Sequence, residues 1–142
     1  MKRTLFITLV GVFVVGLCSG YSLAYNAPTH FREGILHGVK YLTGGVGSDE
    51  RAVMQKMAEG HYNLQFVFTE AAGPYLARIR VKIQDTHGKT FIDIPSNGPW
   101  FFAELPNGQY KITATHAGKS EVQNLNVGKN FRRVIFNWKS EM

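Results

Sequence analysis

The period of the apolar residues changes to two at Tyr62 and keeps that value through most of the remaining chain, which confines it to strands with one buried side. In "YNLQFVFT" the residues Tyr62, Leu64, Phe66 and Phe68 share a side. In "YLARIRVKIQ" Ala77, Ile79, Val81 and Ile83 oppose Leu76, Arg78, Arg80, Lys82 and Gln84. Successive side chains of a strand point to opposite faces, so this pattern buries one face of a sheet and wets the other.

Turn chemistry divides the patterned region. "EAAGP", "QDTHGK", "PSNGP", "PNG", "AGK" and "GKN" separate the segments "YNLQFVFT", "YLARIRVKIQ", "TFIDI", "WFFAEL", "QYKITATH", "SEVQNLNV" and "FRRVIFNW". Gly and Asn take the positive backbone angles that tight turns need, and Pro presets the first turn position. In "QYKITATH" Tyr110, Ile112 and Ala114 point inward, and in "FRRVIFNW" Val134, Phe136 and Trp138 alternate with Arg133, Ile135 and Asn137. Seven short strands at this spacing predict an all-β, antiparallel, immunoglobulin-like sandwich.

The segment from Asp93 to Gly118 resembles the carboxypeptidase regulatory-like domain. In that family a strand ending in Phe-x-x-Leu runs through Pro-Pro-Gly-x-Tyr into the next strand. Here Phe102 and Leu105 match that spacing, Gly108 and Tyr110 are in place, and Asn107 stands where the second Pro is usual. The resemblance spans roughly Tyr62 to Trp138. It implies a transthyretin-like (prealbumin-like) seven-stranded sandwich and a non-catalytic accessory or binding role. Pro106 fixes φ at the turn and Gly108 takes a conformation other residues avoid, so Leu105 and Tyr110 are expected in the core beside Phe102, Ile112 and Ala114. Trp100 and Phe101 are adjacent on a strand and face opposite ways, so they cannot both enter one core.

Ahead of the sandwich the sequence reads differently. Lys2 and Arg3 precede an uncharged apolar run from Thr4 to Leu17, and Ser22-Leu23-Ala24 supplies small residues for signal peptidase. Residues 1–24 are therefore expected to be an export signal cleaved between Ala24 and Tyr25, which places the mature protein in the periplasm or outside the cell. An uncleaved inner-membrane anchor is the alternative, although a span needs about 20 apolar residues and this run is short and broken by Gly11 and Gly16. Lipidation at Cys18 is disfavoured by Leu17, where that processing prefers a small side chain.

Cys18 is the only cysteine, so the mature chain has no disulfide and no catalytic thiol. Loss of Lys2 and Arg3 lowers the formal charge from +6 to +4, an excess that a solvated surface explains without nucleic acid. Residues 25–47 read as a flexible lead, within which Phe31 to Leu42 has the pattern of a short amphipathic turn or helix. Residues 48–60 read as a short helix ahead of the sandwich, with Ser48 as cap, Asp49 and Glu50 in the first turn, Val53, Met54 and Met57 as its apolar side and Gly60 as its stop. Residues 61–140 make up the sandwich.

Neither a metal site nor a catalytic nucleophile is legible. His30, His37, His61, His87 and His116 form no i,i+4 pair, and the serines lack a Gly-x-Ser-x-Gly context. The one enzyme type of the transthyretin-like fold, the hydroxyisourate hydrolases, ends in Tyr-Arg-Gly-Ser, whereas this chain ends in "FNWKSEM". No cofactor is expected. The expected function is recognition of another envelope protein or a polymer, with Trp100 and Phe101 beside the outward basic row Arg78, Arg80 and Lys82 as candidate binding residues. A small-molecule or carbohydrate carrier that stacks its ligand on Trp100, Phe101 and Tyr75 is the alternative, and a membrane-anchored accessory subunit is a third reading.

Overall fold

The structure is a computed structural model that describes residues 30–71 and 73–139. The proposed signal segment and its cleavage point at Ala24 and Tyr25 lie outside the described residues. The alternation seen in the sequence builds β3 (Leu64–Glu70), β4 (Arg80–Asp85), β5 (Thr90–Pro95), β6 (Trp100–Glu104), β7 (Gly108–His116), β8 (Lys119–Val127) and β9 (Arg132–Trp138). Two further strands, β1 (Arg32–Leu36) and β2 (Val39–Gly44), and one helix, α1 (Ser48–Ala58), precede them. The strands form a five-stranded sheet in the order β1-β2-β6-β3-β9 and a four-stranded sheet in the order β5-β4-β7-β8.

Three expectations are corrected by this arrangement. First, the described residues form nine strands rather than seven, because the segment read as a flexible lead holds the β1–β2 hairpin. His37 and Gly38 both adopt positive φ, 47° and 76°, which is the two-residue turn whose twist matches that of paired strands. Second, α1 does not precede the sandwich but lies between β2 and β3, packed on the outer face of the five-stranded sheet. Third, the pairing is not antiparallel throughout, since β3 and β9 run parallel from Leu64↔Arg132 to Glu70↔Trp138.

The helix also differs in detail. Its cap position is Gly47, which offers no side chain, and Glu50 reaches back to accept the Gly45 N–H at 2.7 Å. Met54 and Ala58 are its buried residues, one helical turn apart, while Val53 is 47% exposed. At about 100° per residue Val53 falls off the line that joins Met54 to Ala58.

Two apolar layers result. The larger lies between the sheets and carries a row of rings across the inner face of the five-stranded sheet. Tyr41 stacks on Phe101, Phe101 on Phe66, Phe66 meets Phe136 edge-on, and Phe136 stacks on Trp138. Ile79, Val81, Ile83, Ile92, Ile112 and Ala114 face them from the other sheet, all fully buried. The smaller layer lies on the outer face, where Leu42, Phe102 and Tyr62 pack under Met54 and Ala58, with Trp100 at its margin.

The motif that carries the family resemblance has a concrete geometry. After β6, Leu105 is buried, and the Tyr110 hydroxyl donates to the Pro106 carbonyl at 2.8 Å. A tyrosine that bonds back to backbone a few residues upstream pins the corner between two sandwich strands.

Candidate functional site

The residues singled out in the sequence do not come together. Phe101 has no exposed surface and sits in the ring row of the core. Trp100 points the other way, half-buried on the outer face of the five-stranded sheet with its ring edge-on to Phe102. Arg80 and Lys82 point outward from the four-stranded sheet, because Val81 and Ile83 point inward. The aromatic pair and the strand residues Arg80 and Lys82 therefore occupy different layers of the sandwich and form no single patch. Arg80 is bound to Asp93 at 2.8 Å, and Lys82 lies directly opposite the same Asp93 in the strand register. Arg78 lies before β4 in a left-handed backbone conformation, φ 58°. Tyr75 is exposed, with the Arg51 guanidinium 5.2 Å above its ring. The stacking platform of a carrier is thus not assembled from Trp100, Phe101 and Tyr75.

A different feature concentrates polar and aromatic groups. At the end of the sandwich where β6 finishes and β9 begins, a groove of about 600 Å³ opens beneath the C-terminal end of α1. Three links converge there: α1 into β3, β6 into β7, and β8 into β9. Asn63 ties all three. Its side-chain amide donates to the Leu105 carbonyl at 2.7 Å, its side-chain oxygen accepts the Leu105 N–H at 3.0 Å, and its own carbonyl accepts the Arg132 N–H at 3.0 Å. The floor of the groove is therefore held rigid although its walls come from links.

One wall is Tyr62, whose hydroxyl donates to Glu33 at 3.3 Å. Lys40 sits 5.6 Å from the centre of the Tyr62 ring and 3.9 Å from Glu104. Burial of the phenol, then the charge and hydrogen bond of Glu33 and the charge of Glu104, push the Tyr62 hydroxyl well above the usual tyrosine value. Lys129 and Phe131 also line the groove, and Phe131 is 50% exposed. Gln55, Glu59 and His61 complete the rim. Sequence reading missed Asn63 and Phe131. The available signal for Phe131 was its parity, because the inward residues of β9 are Val134, Phe136 and Trp138, and an aromatic at an odd position falls outside that set.

The raised Tyr62 value has a pH consequence. An unfolded tyrosine ionises near pH 10, and the folded chain holds the Tyr62 proton more tightly. The folded state then binds more protons than the unfolded state above that pH. This contribution to stability is fully present below about pH 10 and is lost as pH rises from there through the folded value. Alkaline denaturant titrations of Tyr62→Phe should show a shallower fall of stability above pH 10 than the parent protein. Part of the slope remains, because burial and Asp85 raise Tyr110 as well. An unchanged slope would show that Tyr62 is solvated.

Among the described residues no group of three His, Cys, Asp or Glu side chains is placed to hold a metal ion, and no helix is long and apolar enough to cross a membrane. No protein-family model matches the chain, and no curated protein matches it. Among solved structures, the Bacillus anthracis TIE protein aligns at 20% identity and a TM-score of 0.41, over 55% of this chain and 16% of that one. The match thus spans less than a fifth of that protein.

Proposed function

We propose that the protein is a non-catalytic binding module of the transthyretin-like, carboxypeptidase regulatory-like type. In this reading it is exported to the periplasm or beyond after cleavage at Ala24, and it holds a segment of another envelope protein or polymer in the groove beneath α1. The observation that carries the reading is Phe131, half-exposed on the wall of a groove whose floor Asn63 fixes. Exposed aromatics on a rigid frame supply contact area at small entropic cost and recur as binding anchors. The turn from Leu105 to Tyr110, closed by the Tyr110–Pro106 bond, supports the family assignment. The mixed rim of Glu59, Glu104, His61 and Lys129 suits an extended polar segment better than a flat apolar ligand.

The test is affinity capture from the native envelope fraction with C-terminally tagged protein and its Phe131→Ala variant. One reproducible partner is expected on the parent and its loss on the variant, with melting changed by no more than about 1 kcal/mol, as for a partly exposed side chain. Mass spectrometry of the bait should find an N-terminus at Tyr25. Equal partner recovery on both baits would remove the groove from the proposal, and a bait that retains Met1 would replace export and cleavage with a membrane anchor.

A further inference from the structure

We propose that a second site, at the opposite end of β6 from the groove, binds the carboxylate of an acidic side chain of a partner protein, with Arg78 as its anchor. Asn97 precedes β6 and Leu105 follows it, so the two sites are separated by the length of that strand and neither depends on the other.

The backbone around Arg78 is clamped from the buried side. Ser96 is almost wholly buried. Its hydroxyl accepts the Ile79 N–H at 3.0 Å, and its N–H donates to the Ile79 carbonyl at 2.7 Å. Arg78 is thereby held at φ 58°, a conformation that Gly or Asn adopts with little strain and a long side chain rarely occupies. The strain is not offset by a contact of the head group. Every other described arginine has one: Arg32 with the Pro95 carbonyl, Arg51 with the Gly45 carbonyl, Arg80 with Asp93, Arg132 with the Asn126 carbonyl and Arg133 with Gln65. The Arg78 guanidinium has none among the described residues.

Arg78 lines a cleft of about 580 Å³ together with His30, Val46, Pro95, Ser96 and Asn97. Among the described residues no carboxylate lines the cleft, so none of them neutralises the guanidinium there. The chemistry of the walls selects the ligand. A single guanidinium presents a planar fork that pairs with a carboxylate through two hydrogen bonds. Val46, 61% exposed, and Pro95 form an apolar wall against which the aliphatic stem of a glutamate can lie. A phosphate dianion would need a second fixed cation; among the described residues that line the cleft no other is Arg or Lys, and the nearby Arg32 guanidinium is engaged by the Pro95 carbonyl at 3.4 Å.

The test is a ¹⁵N NMR titration with acetyl-Ala-Glu-Ala-amide, its Gln analogue and inorganic phosphate. The Glu peptide should give a saturable shift of the Arg78 side-chain Nε–H and of the Ile79 amide, and the Gln analogue none. Arg78→Gln should weaken binding by about tenfold or more, the loss expected for a charged hydrogen bond. Arg78→Gly, which relieves the left-handed strain, should raise the melting temperature and abolish the shift, so folding and binding are read separately. No saturable shift from the Glu peptide, an equal shift in either variant, or a stronger response to phosphate would overturn the proposal.

Discussion

Truncating Phe101 to alanine is expected to destabilise the protein by about 3–5 kcal/mol, the usual cost of emptying a buried aromatic site. Phe101 is fully buried between Tyr41, at 5.9 Å between ring centres, and Phe66, at 6.1 Å. Loss of its ring removes both stacking contacts and leaves a void that the paired backbones of β2 and β3 on either side prevent from closing. Domains are stable by only about 5–15 kcal/mol, so the variant should be partly unfolded at physiological temperature. The effect should appear as a lower denaturant midpoint with little change in slope. Trp100→Ala, at the margin of the smaller layer, should cost clearly less. A Phe101→Ala variant that melts like the parent but loses a binding partner would place Phe101 in an exposed site and contradict the fold described above.

The second large effect is expected at Gly98, in the turn before β6. A Cβ built there stands 2.3 Å from the Gly44 carbonyl oxygen and 2.5 Å from its carbon. Both atoms are backbone, and they cannot withdraw. Gly44 is paired with Trp100 in the β2–β6 ladder, and the Asn97 N–H bonds to the Thr43 hydroxyl at 3.0 Å. Gly98→Ala should therefore cost about 3 kcal/mol, the upper part of the range for overpacking. Gly128, with nothing within 4 Å of its added Cβ, is the control. Gly128→Ala should be neutral or slightly stabilising, by about 0.4–1 kcal/mol, through the unfolded chain. Equal midpoints for the two variants in one denaturant series would show that the β5–β6 turn does not approach β2 as described.

Much of the sandwich was legible because an outward face in water forces polar residues into every second position. This held for Arg80 and Lys82 against Val81 and Ile83, and for Lys111 and Thr113 against Tyr110 and Ile112. It failed where a helix covers the outer face. In β2, Tyr41 turns to the main core and Leu42 to α1. In β6, Phe101 turns to the main core, whereas Trp100 and Phe102 turn to the helix side. A strand buried on both sides loses its alternation, so β2 was not legible at the end of the segment Phe31 to Leu42, whose first half forms the largely exposed β1, and Trp100 and Phe101 read together as binding residues. Alternation also assigns faces but not neighbours, which is why the parallel pairing of β3 with β9 was not visible.

The candidate groove was hidden for a further reason. Its parts lie at Tyr62 and Asn63, at Glu104 and Leu105, and at Lys129 and Phe131, three links far apart in sequence that meet only because β6, β3 and β9 are adjacent. No local motif spans them. The Arg78 cleft was half legible, because the basic row Arg78, Arg80 and Lys82 stood out, but the row does not act as a unit. Arg80 is bound to Asp93, and Arg78 lies outside the strand, left without a partner among the described residues.

The most direct test of a recognition groove beneath α1 is site-specific photo-crosslinking in the cells that make the protein. A benzophenone amino acid would replace Phe131 in one variant and Lys111, on the wet face of the four-stranded sheet, in the other. One discrete, reproducible adduct is expected from position 131 and none from position 111. No adduct from position 131, or the same adduct from both positions, would contradict a recognition groove there.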